Sequence, residues 1–210
     1  MLNLYVFIKS IVVMITSIDQ LDLNKQYSYA DYLTWQFTER VELIKGYLLK
    51  MAAPNTFHQK VSGELFRQIS NYFHKNPCHF FAAPFDVRLY NRKKSLLADK
   101  DIFSVVQPDM CVICDKTKLD TKGCNGSPDF IIEILSPSNS KVDLKDKFAL
   151  YEANGVLEYW IVSPNEKYIQ QFVLENDKYY LHEVYEETEN ARPFLFPDLQ
   201  IYLPDVFEEI

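Results

Sequence analysis

The distribution of apolar residues along the chain predicts an alternation of helices and short strands. Apolar side chains recur at helical spacing over 58–74, which indicates an amphipathic helix. Shorter apolar runs, bounded by turn residues, are typical of strands. These strand-like runs cover 41–51, 80–90, 105–114, 129–135, 158–162, 168–173 and 178–184.

Capping residues predict where two further helices begin and end. Ser28 is placed to cap a short helix over 28–37, and Ser140 to cap a helix over 141–153. Gly155 follows the second of these, where glycine accepts the left-handed conformation that closes a helix. The second helix directly follows the strand-like run 129–135.

The order of these elements predicts the fold class and the domain count. Turn residues at Lys45-Gly46 and Asn176-Asp177 predict two hairpins. A chain of 210 residues that is 48% apolar buries one sizeable core. We therefore expect an α/β (α+β) fold with a mixed sheet flanked by helices, in which residues 1–26 form an N-terminal extension and 27–210 a single domain.

The first 13 residues are apolar but do not predict a membrane anchor. Lys9 interrupts them, the run is shorter than the ~20 residues of a spanning helix, and it lacks the layout of a signal peptide. Met14 offers a second start. We expect a chain that begins there to stay soluble and to melt within a few degrees of the full-length protein.

Charge and cysteine content narrow the class of protein. A formal charge of −7 and a pI near 5.1 give no overall basic surface for nucleic acid, and the main basic cluster is the loop 91–95. Four cysteines without a signal peptide indicate reduced thiols in a cytoplasmic protein. Cys111 and Cys114 are three apart on a predicted strand and therefore face opposite sides, which argues against joint zinc ligation.

Glu133 is the first candidate for chemistry, because it lies in an otherwise apolar run that reads as a strand buried on both faces. A buried carboxylate needs compensation. If this strand pairs with the preceding one so that Glu133 and Asp109 share a side, the two acids require a cation or a proton between them. Mg²⁺, held by one or two carboxylates and water, fits this pair. The alternative for Glu133 is a protonated or hydrogen-bonded core acid.

Two charged residues extend this candidate site, each with an alternative. Asp86, on a run that we place beside the Asp109 strand, is either a third metal ligand or a surface partner of Arg88. Lys147, on the helix after Glu133, either contacts a metal-bound water or a phosphate, or pairs with Asp143 one turn before it.

Several motifs of the chain resemble those of one large bacterial family, the restriction-endonuclease-like nucleases of the PD-(D/E)xK superfamily. The resemblance runs from about residue 29 to 173. The motifs that carry it are Val41-Glu42-Leu43-Ile44 with Gly46, His58-Gln59, Asp86-Val87-Arg88-Leu89, Gln107-Pro108-Asp109, Pro128-Asp129-Phe130-Ile131-Ile132-Glu133-Ile134-Leu135-Ser136-Pro137-Ser138, Lys147-Phe148-Ala149-Leu150-Tyr151 and Gly155-Val156-Leu157-Glu158-Tyr159-Trp160-Ile161-Val162.

The resemblance implies roles for three residues. Asp109 takes the place of the PD aspartate and Glu133 that of the (D/E)xK acid. The lysine expected two positions after Glu133 is Leu135 here. Lys147, on the next helix, is the candidate to replace it, as in members whose catalytic lysine has moved there. Without such a replacement the site would lack the lysine on which the activity of the superfamily depends.

The resemblance also implies a supporting pocket around this centre. Its members are Glu42, His58, Asp86 and Tyr151, the last on the same helical stripe as Lys147. For His58, at the start of a helix, an ordinary capping role is the alternative.

Together these features predict a cytoplasmic endonuclease that uses Mg²⁺ (or Mn²⁺) to hydrolyse phosphodiester bonds. The expected partner is nucleic acid, with DNA favoured over RNA. We expect no membrane association, and a homodimer is left open. The alternative is a catalytically silent module that keeps the nuclease fold and binds nucleic acid or another protein. The acidic balance and the missing Glu-x-Lys arrangement favour this alternative.

Overall fold

Capping residues and apolar periodicity place the helices of the chain. The computed structural model describes residues 14–51, 53–90, 99–136 and 143–208. Ser28 caps the first helix and Asn55 the second. The α-helices of the described residues are α1 (Tyr29–Tyr32), α2 (Thr56–Phe73), α3 (Phe148–Asn154), which continues a π-helical turn (Asp143–Lys147), and α4 (Leu203–Val206).

Within the described ranges the strands form two six-stranded sheets and a two-stranded ribbon. In spatial order the first sheet is β2 (Tyr47–Lys50), β1 (Val41–Ile44), β5 (Ser104–Val106), β4 (Val87–Leu89), β8 (Gly123–Asn125) and β7 (Leu119–Asp120). The second is β12 (Lys178–Glu186), β11 (Tyr168–Glu175), β10 (Glu158–Ser163), β9 (Phe130–Ile134), β6 (Met110–Ile113) and β3 (His79–Ala82), and the ribbon pairs β13 (Asn190–Ala191) with β14 (Ile201–Tyr202).

Both large sheets are mixed and are flanked by helices, which confirms the predicted fold class and the single domain. In the second sheet β9 and β10 run parallel, and their neighbours run antiparallel. The predicted hairpins are present, with positive φ at Lys45 and Gly46 in one turn and at Asn176 and Asp177 in the other. The division into two sheets was not predicted.

Proline explains why two runs that we predicted as single strands are each split. Ala83-Pro84 separates β3 from β4, and Gln107-Pro108-Asp109 separates β5 from β6. Proline lacks the N–H that a sheet ladder requires. At each break the chain passes from one sheet to the other. The run 80–90 lies beside the run 105–114 as expected, because β3 pairs with β6 and β4 pairs with β5. Asp86, however, directly precedes β4 of the first sheet, whereas Asp109 directly precedes β6 of the second.

Helix α2 packs on the second sheet and forms the largest apolar core. Its Val61, Leu65, Ile69 and Phe73 are buried at spacings of four and meet Trp160 of β10 in one cluster. The C-terminal segment, with α4, joins the same cluster. This packing fixes the first turn of α2 relative to β9 and β6.

The cysteines differ from the prediction of four reduced thiols. Cys78 and Cys114 form a disulfide. The β3–β6 register, in which His79 lies opposite Ile113, brings these two residues to facing positions just beyond the strand ends. Cys111 and Cys124 are free and buried, as expected of thiols in apolar strands.

Part of the predicted N-terminal extension packs on the domain. Ile15 bridges to Trp35, and Ile18 and Leu21 are buried beside Tyr27. Residues 1–13, the basic loop 91–95 and the predicted cap Ser140 lie outside the described residues, so the dispensability of 1–13 stays a prediction. Within the described ranges, no helix combines the length and the apolar character needed to span a bilayer.

Candidate functional site

The pairing of β6 with β9 sets Asp109 against Glu133. Met110 lies opposite Ile132 and Cys111 opposite Ile131, so continuing this register by one residue places Asp109 opposite Glu133. The Asp109 Oδ2 atom accepts a hydrogen bond from the Ile134 backbone N–H at 2.8 Å. Both carboxylates line one cleft of about 140 Å³. The two acids thus come together in the way that the sequence led us to expect.

Two side chains from the helix after β9 compensate the buried Glu133. The Lys147 Nζ atom lies 2.9 Å from Glu133 Oε1, and the Tyr151 hydroxyl donates to the same oxygen at 2.6 Å. Burial, and then the nearby Glu133 carboxylate, raise the pKa of Tyr151, so the phenol remains a donor. Both contacts follow from the four-residue spacing of Lys147 and Tyr151, which puts them on one helical face.

Glu42, from the first sheet, contacts the same ammonium group. Its Oε1 lies 3.2 Å from Lys147 Nζ and accepts a hydrogen bond from the Gln107 backbone N–H at 2.7 Å. Glu42, Glu133 and Lys147 are 1%, 3% and 3% exposed. One buried cation therefore stands between two buried carboxylates, a group that carries one excess negative charge when all three are ionised.

His58 lies at the N-terminal turn of α2, beside Asp109. Its Nε2 atom is 3.5 Å from Asp109 Oδ2, and it lines the same cleft. The cap of this helix is Asn55, whose side chain accepts from the His58 backbone N–H at 2.8 Å. The structure thus places the imidazole at the cleft and gives the capping role to another residue.

Asp86 is not among the residues that line the cleft. Its Oδ1 accepts from Gln107 Nε2 at 2.8 Å and lies 3.4 Å from the Tyr32 hydroxyl. Burial raises the pKa of Asp86, and these hydrogen bonds act in the opposite direction. The alternative partner of Asp86 in the sequence was Arg88. In the structure the Arg88 side chain donates instead to Asp120 Oδ1, at 2.7 Å.

Two cleft residues were missed by the sequence reasoning as members of the site. Arg40 precedes β1, and its Nε and Nη2 atoms donate to Gln107 Oε1 at 3.0 and 2.8 Å. Gln107 was noted only as the first residue of the Gln-Pro-Asp motif. The position of Gln107 directly before Pro108 was the signal that could have identified it as a site residue. For Arg40 the only such signal was its place two residues before Glu42.

The acids at the cleft suit a hydrated divalent cation better than a fully caged one. Asp109 and Glu133 offer hard carboxylate oxygens. Asp109 adds a further carboxylate to the buried group of Glu42, Glu133 and Lys147, and the acids of this site outnumber its lysine, which favours a cation. Over residues 14–51, 53–90, 99–136 and 143–208, no group of three or more His, Cys, Asp or Glu side chains is arranged to hold a metal. One or two carboxylates with water completing the shell is the usual arrangement for Mg²⁺, so these residues fit that ion.

Comparison with known proteins identifies relatives across most of the chain. Residues 29–204 match the Uma2 family, described as "Putative restriction endonuclease". An uncharacterized protein of Synechocystis sp. (strain ATCC 27184 / PCC 6803 / Kazusa), slr1290, is 25% identical over 136 residues, which cover 63% of this chain and 66% of that protein. The match thus spans just under two thirds of that relative's length.

A solved structure shows the same fold. It is the crystal structure of a putative nuclease belonging to DUF820 from Anabaena variabilis ATCC 29413, and it superposes with a TM-score of 0.63 at 19% sequence identity. The superposition covers 86% of this chain and 97% of that one.

Proposed function

The chain belongs to the Uma2 family, and from the geometry of its cleft we propose that it is a metal-dependent endonuclease that hydrolyses phosphodiester bonds of DNA. The observation that carries this proposal is the buried Lys147 ammonium, which lies within 3.2 Å of both Glu133 and Glu42 beside the cleft that Asp109 lines. A lysine beside two acids is the arrangement that the family resemblance requires and that Leu135 leaves incomplete. The nuclease description of the family supports the reaction class.

Asp109 and Glu133 are the residues that would hold Mg²⁺ or Mn²⁺. When bound, such an ion lowers the pKa of coordinated water and stabilises the charge that develops on a phosphoryl group. Asp109 has one oxygen fixed by the Ile134 N–H, and Tyr151 and Lys147 fix one oxygen of Glu133. The protein thereby orients both carboxylates in advance.

Lys147 would orient the attacking water and supply it with a nearby positive charge. The two carboxylates hold its amine in place, and its alkyl chain is buried, so little conformational freedom remains to be lost in the reaction. Glu42 also contacts this ammonium group, at 3.2 Å. His58, near Asp109, is placed to hydrogen-bond a water at the mouth of the cleft.

A cleavage panel tests this function. The purified chain would be incubated with plasmid, single-stranded DNA and RNA in Mg²⁺, in Mn²⁺ and in EDTA. We expect DNA products with a metal ion and none in EDTA. Intact substrates under every condition would contradict the proposal.

Asp109→Asn should separate metal binding from folding. We expect this variant to melt at a higher temperature than the wild type in EDTA, because one of several crowded negative charges is removed while the amide oxygen still accepts the Ile134 N–H. The stabilisation that Mg²⁺ gives the wild type should disappear, since a ligand that binds only the folded state stabilises by mass action.

Melting curves with and without Mg²⁺ measure both effects. Asp205→Asn is the matched control, because it neutralises an exposed aspartate that pairs with Arg67 outside the cleft. An undiminished Mg²⁺ shift in Asp109→Asn would remove Asp109 from the metal site.

One observation favours the silent module as a second candidate function. Lys147 is engaged by two carboxylates, and within the described ranges no third acid joins Asp109 and Glu133 in a ligand cluster. Titration calorimetry with Mg²⁺ and Mn²⁺ distinguishes the candidates. A folded chain that binds neither ion but binds nucleic acid would favour the module.

A further inference from the structure

The charge balance of the cleft leaves one obvious place for a substrate phosphate. Among the described residues that line the cleft, the lysine and arginine side chains are Lys147 and Arg40. Lys147 is buried and has carboxylates at 2.9 and 3.2 Å, so its charge is already offset. A phosphodiester that enters beside Asp109 and Glu133 brings further negative charge and needs a cation that is not offset in this way.

The positive charge of Arg40 is not offset by an acidic partner among the described residues. Its Nε and Nη2 atoms both donate to the amide oxygen of Gln107, and no ion pair joins it to any residue in the described part of the chain. A guanidinium group has five N–H donors in a fixed planar fork, which matches the geometry of phosphate oxygens. Gln107 therefore holds the group at one edge and leaves donors for a ligand.

A second contact fixes the orientation of Gln107 itself. Its Nε2 donates to Asp86 Oδ1 at 2.8 Å, so the amide oxygen must face Arg40. A swap of the amide nitrogen and oxygen would set a donor against Arg40 and an acceptor against a carboxylate. Asp86 lies off the cleft but is thus connected to Arg40 through two successive hydrogen bonds of Gln107.

We propose that Arg40 binds the phosphodiester group of the substrate at the cleft and that Gln107 and Asp86 are the residues that position it. The inference rests on the proposed function and adds the substrate contact that the metal site and Lys147 do not supply. Arg40 is exposed and Glu133 is buried, so Arg40 contacts this phosphodiester from the open side of the cleft.

Arg40→Ala tests the contact through binding and kinetics together. Fluorescence anisotropy of a labelled DNA oligonucleotide in Ca²⁺, with a gel to verify that the probe is intact, gives Kd as a function of salt. We expect Kd and KM to rise about tenfold to a hundredfold, as for the loss of a charged hydrogen-bonding group, with a smaller change in kcat. The slope of log Kd against log salt should fall by about 0.7–0.9, the value of one phosphate contact.

Variants of Gln107 separate position from charge. Gln107→Leu removes the orienting amide but leaves the Arg40 charge, so KM should rise while the salt slope stays near that of the wild type. Gln107→Glu sets a carboxylate against Arg40, so KM and the salt slope should both change. Arg40→Lys should keep the salt slope and recover part of the affinity. Arg67→Ala is the matched control, because this exposed arginine pairs with Glu64 and Asp205 outside the cleft.

The outcomes distinguish this inference from the function on which it rests. Melting curves establish that each variant is folded. If Arg40→Ala is not folded, Arg40→Met, which keeps the apolar stem of the side chain, replaces it. A wild type that cleaves DNA, together with a folded Arg40 variant of unchanged KM and salt slope, would overturn the role of Arg40. A wild type that neither binds nor cleaves nucleic acid would overturn the proposed function instead.

Discussion

Replacing Lys147 with alanine should abolish most cleavage and destabilise the fold at the same time. Cleavage should fall about 10²–10⁴-fold, the range for loss of a group that assists proton transfer. Because Lys147 is the cation between the buried Glu42 and Glu133, its removal leaves both carboxylates without a positive charge, with only the Tyr151 and Gln107 hydrogen bonds described above. Breaking a buried ion pair in this way costs about 3–5 kcal/mol of unfolding free energy.

Chemical denaturation and a plasmid assay measure the two effects. Lys178→Ala is the matched control, since that exposed lysine pairs with Glu152 at 2.7 Å and should contribute about 1 kcal/mol or less. Adding Glu42→Gln to Lys147→Ala removes one stranded charge. This double variant should regain stability but not cleavage, which separates loss of chemistry from loss of fold. Wild-type cleavage by a folded Lys147→Ala protein would defeat the assignment.

A lysine at position 135 should restore part of the rate lost in Lys147→Ala. Leu135 follows Glu133 by two residues, the place at which the (D/E)xK motif that this segment resembles has its lysine. Leu135 packs at the edge of an apolar cluster but is not fully buried, so a long side chain can direct its amine toward the cleft. A stable double variant without any rescue would show that positions 135 and 147 do not serve one site.

Glu158→Ala should unfold the C-terminal segment from the core and cost about 3–5 kcal/mol, the upper range for single substitutions. The Glu158 carboxylate is fully buried and accepts hydrogen bonds from Trp160 Nε1 and Gln171 Nε2, both at 2.7 Å. The backbone N–H groups of Phe194 and Leu195 donate to it at 2.9 Å. Alanine leaves the buried Trp160 N–H without this acceptor and removes the same acceptor from Gln171 and from the two part-buried backbone N–H groups.

Hydrogen exchange and denaturation together identify this effect. Protection should be lost first around 190–208, the segment that Glu158 fastens to β10, and the glutamine variant should lose less stability because it keeps one acceptor oxygen. Glu183→Ala, on the exposed part of β12, is the control and should change stability by no more than about 0.5 kcal/mol. A Glu158→Ala protein with wild-type stability would show that water replaces these contacts at little cost.

The fold class and the centre of the site could be predicted because their signals are local. The Asp109 and Glu133 strands follow from apolar runs, and Lys147 and Tyr151 from helical spacing. Glu133 attracted notice because it interrupts an apolar run. Glu158 is just as buried, yet it stands at the start of its run, where a polar residue looks ordinary.

The contacts between distant segments could not be predicted from one sequence. Arg40 meets Gln107 across 67 residues, and Cys78 meets Cys114 across 36, through strand pairings that no local pattern specifies. Asp86 lies off the cleft although its run pairs with the Asp109 run, because the chain leaves the second sheet for the first at Pro84. The face on which such a side chain lies depends on the register of strand pairing. A shift of one residue in that register moves the side chain to the opposite face of the sheet.

The short link Gln107-Pro108-Asp109 also limits how the chain can change length during evolution. Connections between strands normally tolerate added residues at small cost. Here an insertion would either shift the β6 register, which would turn Asp109 from the face that it shares with Glu133, or displace Gln107 from Glu42. Functional descendants of this chain should therefore accumulate insertions and deletions elsewhere and keep this link at three residues.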